Sequence, residues 1–304
     1  MGNSVRKTRA DKEAIDDIEI SLFAGVPRGT LNVLDSEIAT STTYGIYQSS
    51  GTSTIVGTDI HSQARGVSLA GGASNILYSH LHHNTYGLYA SGGTASIGSS
   101  TMQNNSSYGV LNNGSGSTID ALANYWGHNS GPYHPTLNPS GLGNAVSDDV
   151  DFDPWNTEQH YLQGIWSVDE GEIRWDFGGS TTTQFAAQWY AAVDTWNALG
   201  VINIATDTAT TVRDLTLIEV NRSDGDWLTI TGAWDYDLIL ADELYLNAYN
   251  LGGDPDEEIQ NTCTHELGHA LGLDHSYSGN IMYSYQSSQT TLGSQDTSDY
   301  NYLW

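Results

Sequence analysis

Between residues 38 and 110 the chain repeats itself at intervals that leave few folds open. Gly45, Gly66, Gly87 and Gly109 each precede an aliphatic residue, Ile46, Val67, Leu88 and Val110, at spacings of 21, 21 and 22 residues. A second register, Ile38, Ile60, Leu81 and Met102, advances by 22, 21 and 21. Self-similarity at such a period marks units that bury a continuous core only by stacking. The segments between are short and alternating, divided by Ser, Asn, Gly and Thr, which suits one coil of a parallel β-helix per repeat. A meandering β-sandwich has no reason to keep such regular intervals.

Near the other end lies a motif of a different kind, His265-Glu-Leu-Gly-His-Ala-Leu-Gly-Leu-Asp-His275. On a helix, His265 and His269 are one turn apart and face the same way, so both imidazoles can reach one metal ion. Glu266 lies beside them, placed to take a proton from a water held there. Gly272 allows the left-handed backbone that ends a helix and swings His275 back as a third ligand. Three neutral nitrogens and one open position describe a catalytic zinc site rather than a structural one. After His160 these are the chain's only histidines, which argues against scattered surface imidazoles.

The helix that carries the motif is well specified. Asp254 is a suitable N-cap, Pro255 suits the first helical position, and Asp256, Glu257 and Glu258 favour the positive end of the dipole. Ile259, Cys263, Leu267, Ala270 and Leu271 give it an apolar face. Cys263, the only cysteine, is expected as a small core residue, and one cysteine permits no intrachain disulfide.

The motif followed by Asn280-Ile-Met-Tyr283 resembles the metzincin zinc peptidases, and Ser276 with Ile281-Met282-Tyr283 is most similar to their matrixin branch. The resemblance implies a methionine turn, with Met282 as an apolar floor beneath the three imidazoles. It implies one catalytic zinc on His265, His269 and His275, Glu266 as general base, and Gly272 as structural support. Some metzincins place a tyrosine ligand two residues after that methionine. Ser284 stands there in this chain, between Tyr283 and Tyr285, which leaves the tyrosine ligand without support and makes those two tyrosines candidates for the substrate pocket. Matrixins often hold a second, structural zinc on histidines, but no histidine lies between His160 and His265, so that site is expected to be absent.

The resemblance reaches back to about residue 166. Glu172–Phe177 reads as a first strand and residues 183–199 as an amphipathic helix with Phe185, Trp189, Ala192 and Trp196 along one side. Residues 215–220, 227–231 and 243–247 are strand-like, and 296–303 form a short final helix. In that family one sheet edge receives the substrate as an added strand, which would fall within residues 227–247.

The stretch Asn124-Tyr-Trp-Gly127, Ser130-Gly-Pro132, Asn138-Pro-Ser-Gly-Leu-Gly143 and Phe152-Asp-Pro-Trp155 resembles the terminal coil of right-handed β-helix repeat proteins. That resemblance brings polysaccharide lyases and hydrolases into view. Lyases of that fold need a base, commonly Arg or Lys, together with calcium-binding acids, and residues 30–156 contain only Arg65 and no lysine. Asp148 and Asp149 sit in the terminal coil rather than on a central face, and alternation should divide His80, His82 and His83 between the two faces with one packed inward. The residues favour a stalk, an adhesive module or a carbohydrate-contacting surface over a second active site.

Charge narrows the partners. Residues 157–304 carry 23 acids against Arg174, Arg213 and Arg222, and residues 1–156 carry 13 acids against six bases, which together give the net −27. Nucleic acid and anionic membrane surfaces are thereby excluded as expected partners. Asp224, Asp226, Asp235 and Asp237 read equally as a calcium-binding loop or as a solvated acidic surface. No apolar run after the charged start suits a signal peptide, and none spans a membrane. The abrupt entry into repeats at about residue 30 points to a piece of a longer repeat protein.

On sequence, then, the fold class is two domains: an all-β right-handed parallel β-helix followed by an α+β metzincin-like zinc peptidase. Residues 1–29 are an N-terminal segment, 30–156 the repeats and terminal coil, 157–165 a linker, and 166–304 the peptidase-like domain. The expected function is a secreted or surface-attached zinc endopeptidase acting on protein or peptide, with a β-helix that attaches it or contacts polysaccharide. The competing expectation is a β-helix surface or carbohydrate-active protein whose metzincin-like domain is only structural.

Overall fold

A computed structural model describes residues 3–6, 29–39, 43–114, 116–178, 183–223, 231–237 and 240–304. The chain separates into two compact units, with the division after His160. Residues 161–165, expected to end a linker, belong to the second unit.

The first unit is a β-solenoid of three parallel sheets. One sheet stacks Thr30–Leu34, Thr52–Val56, Ala73–Leu77 and Thr94–Gly98 in register, with Val33, Ile55, Ile76 and Ile97 forming one inward column. A second stacks Tyr44–Gln48, Arg65–Leu69, Tyr86–Ala90 and Tyr108–Asn112, and aligns Ile46, Val67, Leu88 and Val110, all fully buried. The third aligns Ile38, Ile60, Leu81 and Met102. Both sequence registers are thus inward columns of successive coils. Each buried aliphatic side chain stabilises the stack by about 1.5–3 kcal/mol.

The repeated glycine has a steric cause. A Cβ on Gly66 would lie 2.7 Å from the carbonyl oxygen of Gly87, and one on Gly87 would lie 2.5 Å from that of Gly109. Neighbouring coils approach too closely there for any side chain. At another corner the amides of buried Asn84 and Asn105 and partly buried Asn144 form a ladder. Asn105 Oδ1 accepts from the backbone N–H of Asn84, and Asn144 Oδ1 accepts from that of Asn105, each at 3.0 Å. Each coil thereby satisfies turn donors of the coil before it, which would otherwise be buried unpaired.

The histidine cluster departs from expectation. His80 and His82 share the outer face, Leu81 takes the inward position, and His83 lies exposed in a left-handed turn at φ 53°. Strand alternation holds for His80 to His82, but the turn begins at His83, so none of these three packs inward. His82 stacks on His61 and bonds Asp59 at 2.7 Å. Burial alone would raise the Asp59 carboxyl, but that hydrogen bond and the nearby histidines hold it below the usual carboxylate range.

The second unit contains a five-stranded sheet in the order Asn203–Thr206, Glu172–Phe177, Leu215–Val220, Asp242–Asn247, Gly232–Asp235. Four strands are parallel, and Gly232–Asp235 runs antiparallel at one edge. Helix α1 (Ala186–Asn197), the short α2 (Ala248–Leu251), α3 (Asp256–Ala270) and α4 (Ser294–Leu303) complete it. Trp189, Ala192 and Trp196 form the buried side of α1 against α3, and Trp196 Nε1–H donates to the carbonyl of Thr264 at 2.9 Å.

Strands 172–177 and 215–220 fall where sequence places them, while α1 starts three residues late because Thr183 turns its hydroxyl to Glu219 instead. The strand expected over 227–231 lies largely outside the described residues, and the edge strand begins at Gly232. Among the described residues, no helix is long and apolar enough to cross a membrane.

Candidate metal centre

Helix α3 delivers two of the three imidazoles. Its N-cap is Pro255, with ψ at 151°, so the helix starts one residue later than Asp254 capping would give. Proline lacks the N–H that this boundary leaves unused, and Asp256, Glu257 and Glu258 fill the first turn beside the dipole's positive end. The C-terminal end is a Schellman motif. Gly272 sits at φ 92°, its N–H donates to His269 O, and the Leu273 N–H donates to Gly268 O. The turn carries the chain from the helix axis towards His275, as the glycine predicts.

His265, His269 and His275 offer ligand atoms that all lie within 4.8 Å of one another. Their ring centroids are 4.6, 5.0 and 5.1 Å apart. His265 Nδ1 lies 2.8 Å from the carbonyl oxygen of Ile281, and His269 Nδ1 lies 2.8 Å from that of Leu273. A carbonyl only accepts, so both Nδ1 atoms carry hydrogen and both Nε2 atoms keep a lone pair. His265 Nε2 and His275 Nε2 stand 3.1 Å apart, a contact that needs a proton or a cation between them. The three-nitrogen donor set therefore fits zinc. Among the described residues no other group of three or more His, Cys, Asp or Glu side chains is so placed.

Glu266 is 8% exposed and lines a cleft of about 390 Å³ together with His265, His275, Gly232, Tyr283 and Tyr285. Gly232 of the edge strand lies over it. A Cβ there would come within 2.7 Å of Glu266 Cγ and 3.0 Å of its Oε1. Sequence gave no signal for this glycine, because only the approach of strand to helix makes a side chain intolerable.

Met282 is buried, and its thioether lies where a Cβ on Gly268 would be 2.3 Å away. The backbone at Ile281 and Met282 is held by Asp296 in the first turn of α4. Its carboxylate accepts from the backbone N–H groups of Ile281 (2.7 Å), Met282 (3.0 Å) and Gly293 (2.7 Å), and is fully buried. The Ile281 carbonyl that fixes His265 is thereby fixed in turn. Sequence placed Asp296 only at a helix start.

The loop that bears Tyr283 and Tyr285 is tied to α3 by Asn261, which donates to Gln289 O at 2.8 Å and accepts from Ser287 N–H at 3.0 Å. Cys263 is fully buried, and burial, with the Glu266 charge, pushes its thiol up. It is a core residue. Of the acidic group considered for calcium, Asp224 and Asp226 lie outside the described residues. Asp237 N–H donates to Asp242 Oδ1 at 2.7 Å.

The matrixin family model matches residues 145–304, more than half of the sequence. The chain belongs to the matrixin family. Matrixins are zinc metallopeptidases, and protein or peptide substrates follow for this member. The match begins before the compact second unit, within the last coil of the solenoid. No curated protein matches the chain. Among solved structures, the GM1-bound form of the ECX AB5 holotoxin aligns over 44% of this matrixin and 80% of that chain at 12% identity. Its TM-score of 0.33 is too low to bear on fold or function.

Proposed function

We propose that the second unit is a zinc endopeptidase of metzincin architecture in which His265, His269 and His275 hold the metal and Glu266 is the general base. The observation that carries this reading is one cleft lined by His265, His275 and Glu266, with His269 behind them. Zinc bound there would supply a Lewis acid for the scissile carbonyl and acidify a water beside it. Glu266, on the helical turn of the ligands and covered by Gly232, takes the proton of the attacking water and returns it to the leaving amine. Among the described residues the strand Gly232–Asp235 is the sheet's edge, with Gly232 lining the cleft, so an extended peptide can add to the sheet there. Tyr283 and Tyr285, 5.3 Å apart, form one wall for a substrate side chain.

We assign this activity to an extracellular or cell-surface setting, with the solenoid attaching the enzyme or contacting carbohydrate. Its acidity and its scarcity of Arg and Lys support attachment over a second activity. Arg65, the only Arg or Lys in residues 30–156, is already stacked 3.6 Å over Tyr89. Asp148 lies exposed against His134.

The protein should cleave casein or a mixed peptide library, lose that activity with a zinc chelator, and regain it on adding zinc. Cleavage that persists in metal-free protein would end the reading. A protein that binds zinc but cleaves no peptide would favour a structural role for the metal.

A further inference from the structure

Gln163 stands outside every motif, 106 positions before the histidine it touches. It is fully buried, and its amide nitrogen lies 3.0 Å from His269 Nδ1. Its backbone N–H donates to Gly272 O at 2.9 Å, and the Asp274 N–H donates to Tyr161 O at 2.8 Å. Leu162 bridges to Leu273. Residues 161–163 are thus laced to the turn that carries the chain from His269 to His275.

The contact with His269 has a chemical consequence. The Leu273 carbonyl, 2.8 Å from the same Nδ1, can only accept, so Nδ1 bears the hydrogen. An amide N–H aimed at that atom would set donor against donor. Meanwhile the Gln163 Oε1 is buried with no hydrogen-bond partner among the described residues. A half-turn of the amide exchanges nitrogen and oxygen, places Oε1 on Nδ1–H in place of the donor–donor contact, and moves the NH2 to the position that Oε1 had occupied. The opposite arrangement, with the amide donating to Nδ1, would put the hydrogen on Nε2 and remove His269 as a ligand.

We propose that Gln163 is a positioning residue that selects the metal-binding tautomer of His269. This rests on the zinc reading of the three imidazoles. Its side-chain carbonyl shares the Nδ1–H with Leu273, fixes the ring plane and makes Nε2 a better donor. Partners of this kind alter metal affinity on the order of 10–100-fold when removed.

The test is zinc affinity of the full chain, measured by competition with a chromophoric chelator, beside the melting temperature of the metal-free protein. Gln163→Met keeps the length and removes the acceptor, and should weaken zinc binding on the order of 10-fold. Gln163→Glu keeps an acceptor at the same place and should restore the affinity. Zinc affinity unchanged in Gln163→Met, or equally weakened in both variants, would overturn the proposal. So would a loss that merely follows the melting temperature. A parent protein that takes up no zinc would overturn the metal reading itself.

Discussion

A Glu266→Gln protein is expected to keep its zinc and to hydrolyse peptides on the order of 10²–10⁴ times more slowly, the span by which a positioned base accelerates proton transfer. The amide has the shape of the carboxylate but no basic lone pair matched to the task. Glu266 is not among the three clustered ligands, so metal affinity should hold. The fall should appear in kcat and in kcat/KM together, because the lost interaction exists only on the way to the transition state. Gly232→Ala offers a graded companion. Its Cβ would crowd Glu266 Cγ at 2.7 Å, so the base must shift while its chemistry is retained, and a smaller loss is expected. Full activity in Glu266→Gln would remove this residue from the mechanism.

Asp296→Asn should produce the largest loss of stability among single changes near the site. Three backbone N–H groups converge on this fully buried carboxylate, two of them on one oxygen. Asparagine presents one accepting oxygen and an NH2 that faces donors. Leaving one or two buried donors opposed costs about 3 kcal/mol, a large share of the 5–15 kcal/mol that holds a domain together. A melting temperature lower by roughly 10 °C is expected in calorimetry. Zinc affinity should fall with it, because the Ile281 carbonyl that orients His265 leaves its place. A variant as stable as the parent would show that the methionine turn does not depend on this carboxylate.

How much of this was legible in sequence depended on the range of the interactions. The periods of 21 and 22 residues became the inward columns Ile46 to Val110 and Ile38 to Met102, because coil stacking turns a sequence interval into a spatial register. The turn at Gly272 was legible because a left-handed residue at a helix end is a local demand. Asp254 misled as a cap because proline fixes its own φ, and Pro255 took the boundary position instead. His83 misled because strand alternation stops where a turn begins. Gln163, Gly232 and Asp296 gave no local signal. Each acts on a group brought to it by folding, a ring, a carboxylate and a turn respectively, and sequence spacing carries no trace of such meetings. The asparagine ladder was equally silent, since Asn in a turn suits loops of every kind.

Zinc K-edge X-ray absorption on the metal-loaded protein measures directly whether three imidazoles hold a zinc ion with one position left for reaction. The expected result is three nitrogen ligands at about 2.0–2.1 Å with one further oxygen, falling to two nitrogens in His275→Ala. A sulfur ligand, or a shell unchanged by that substitution, would contradict the account.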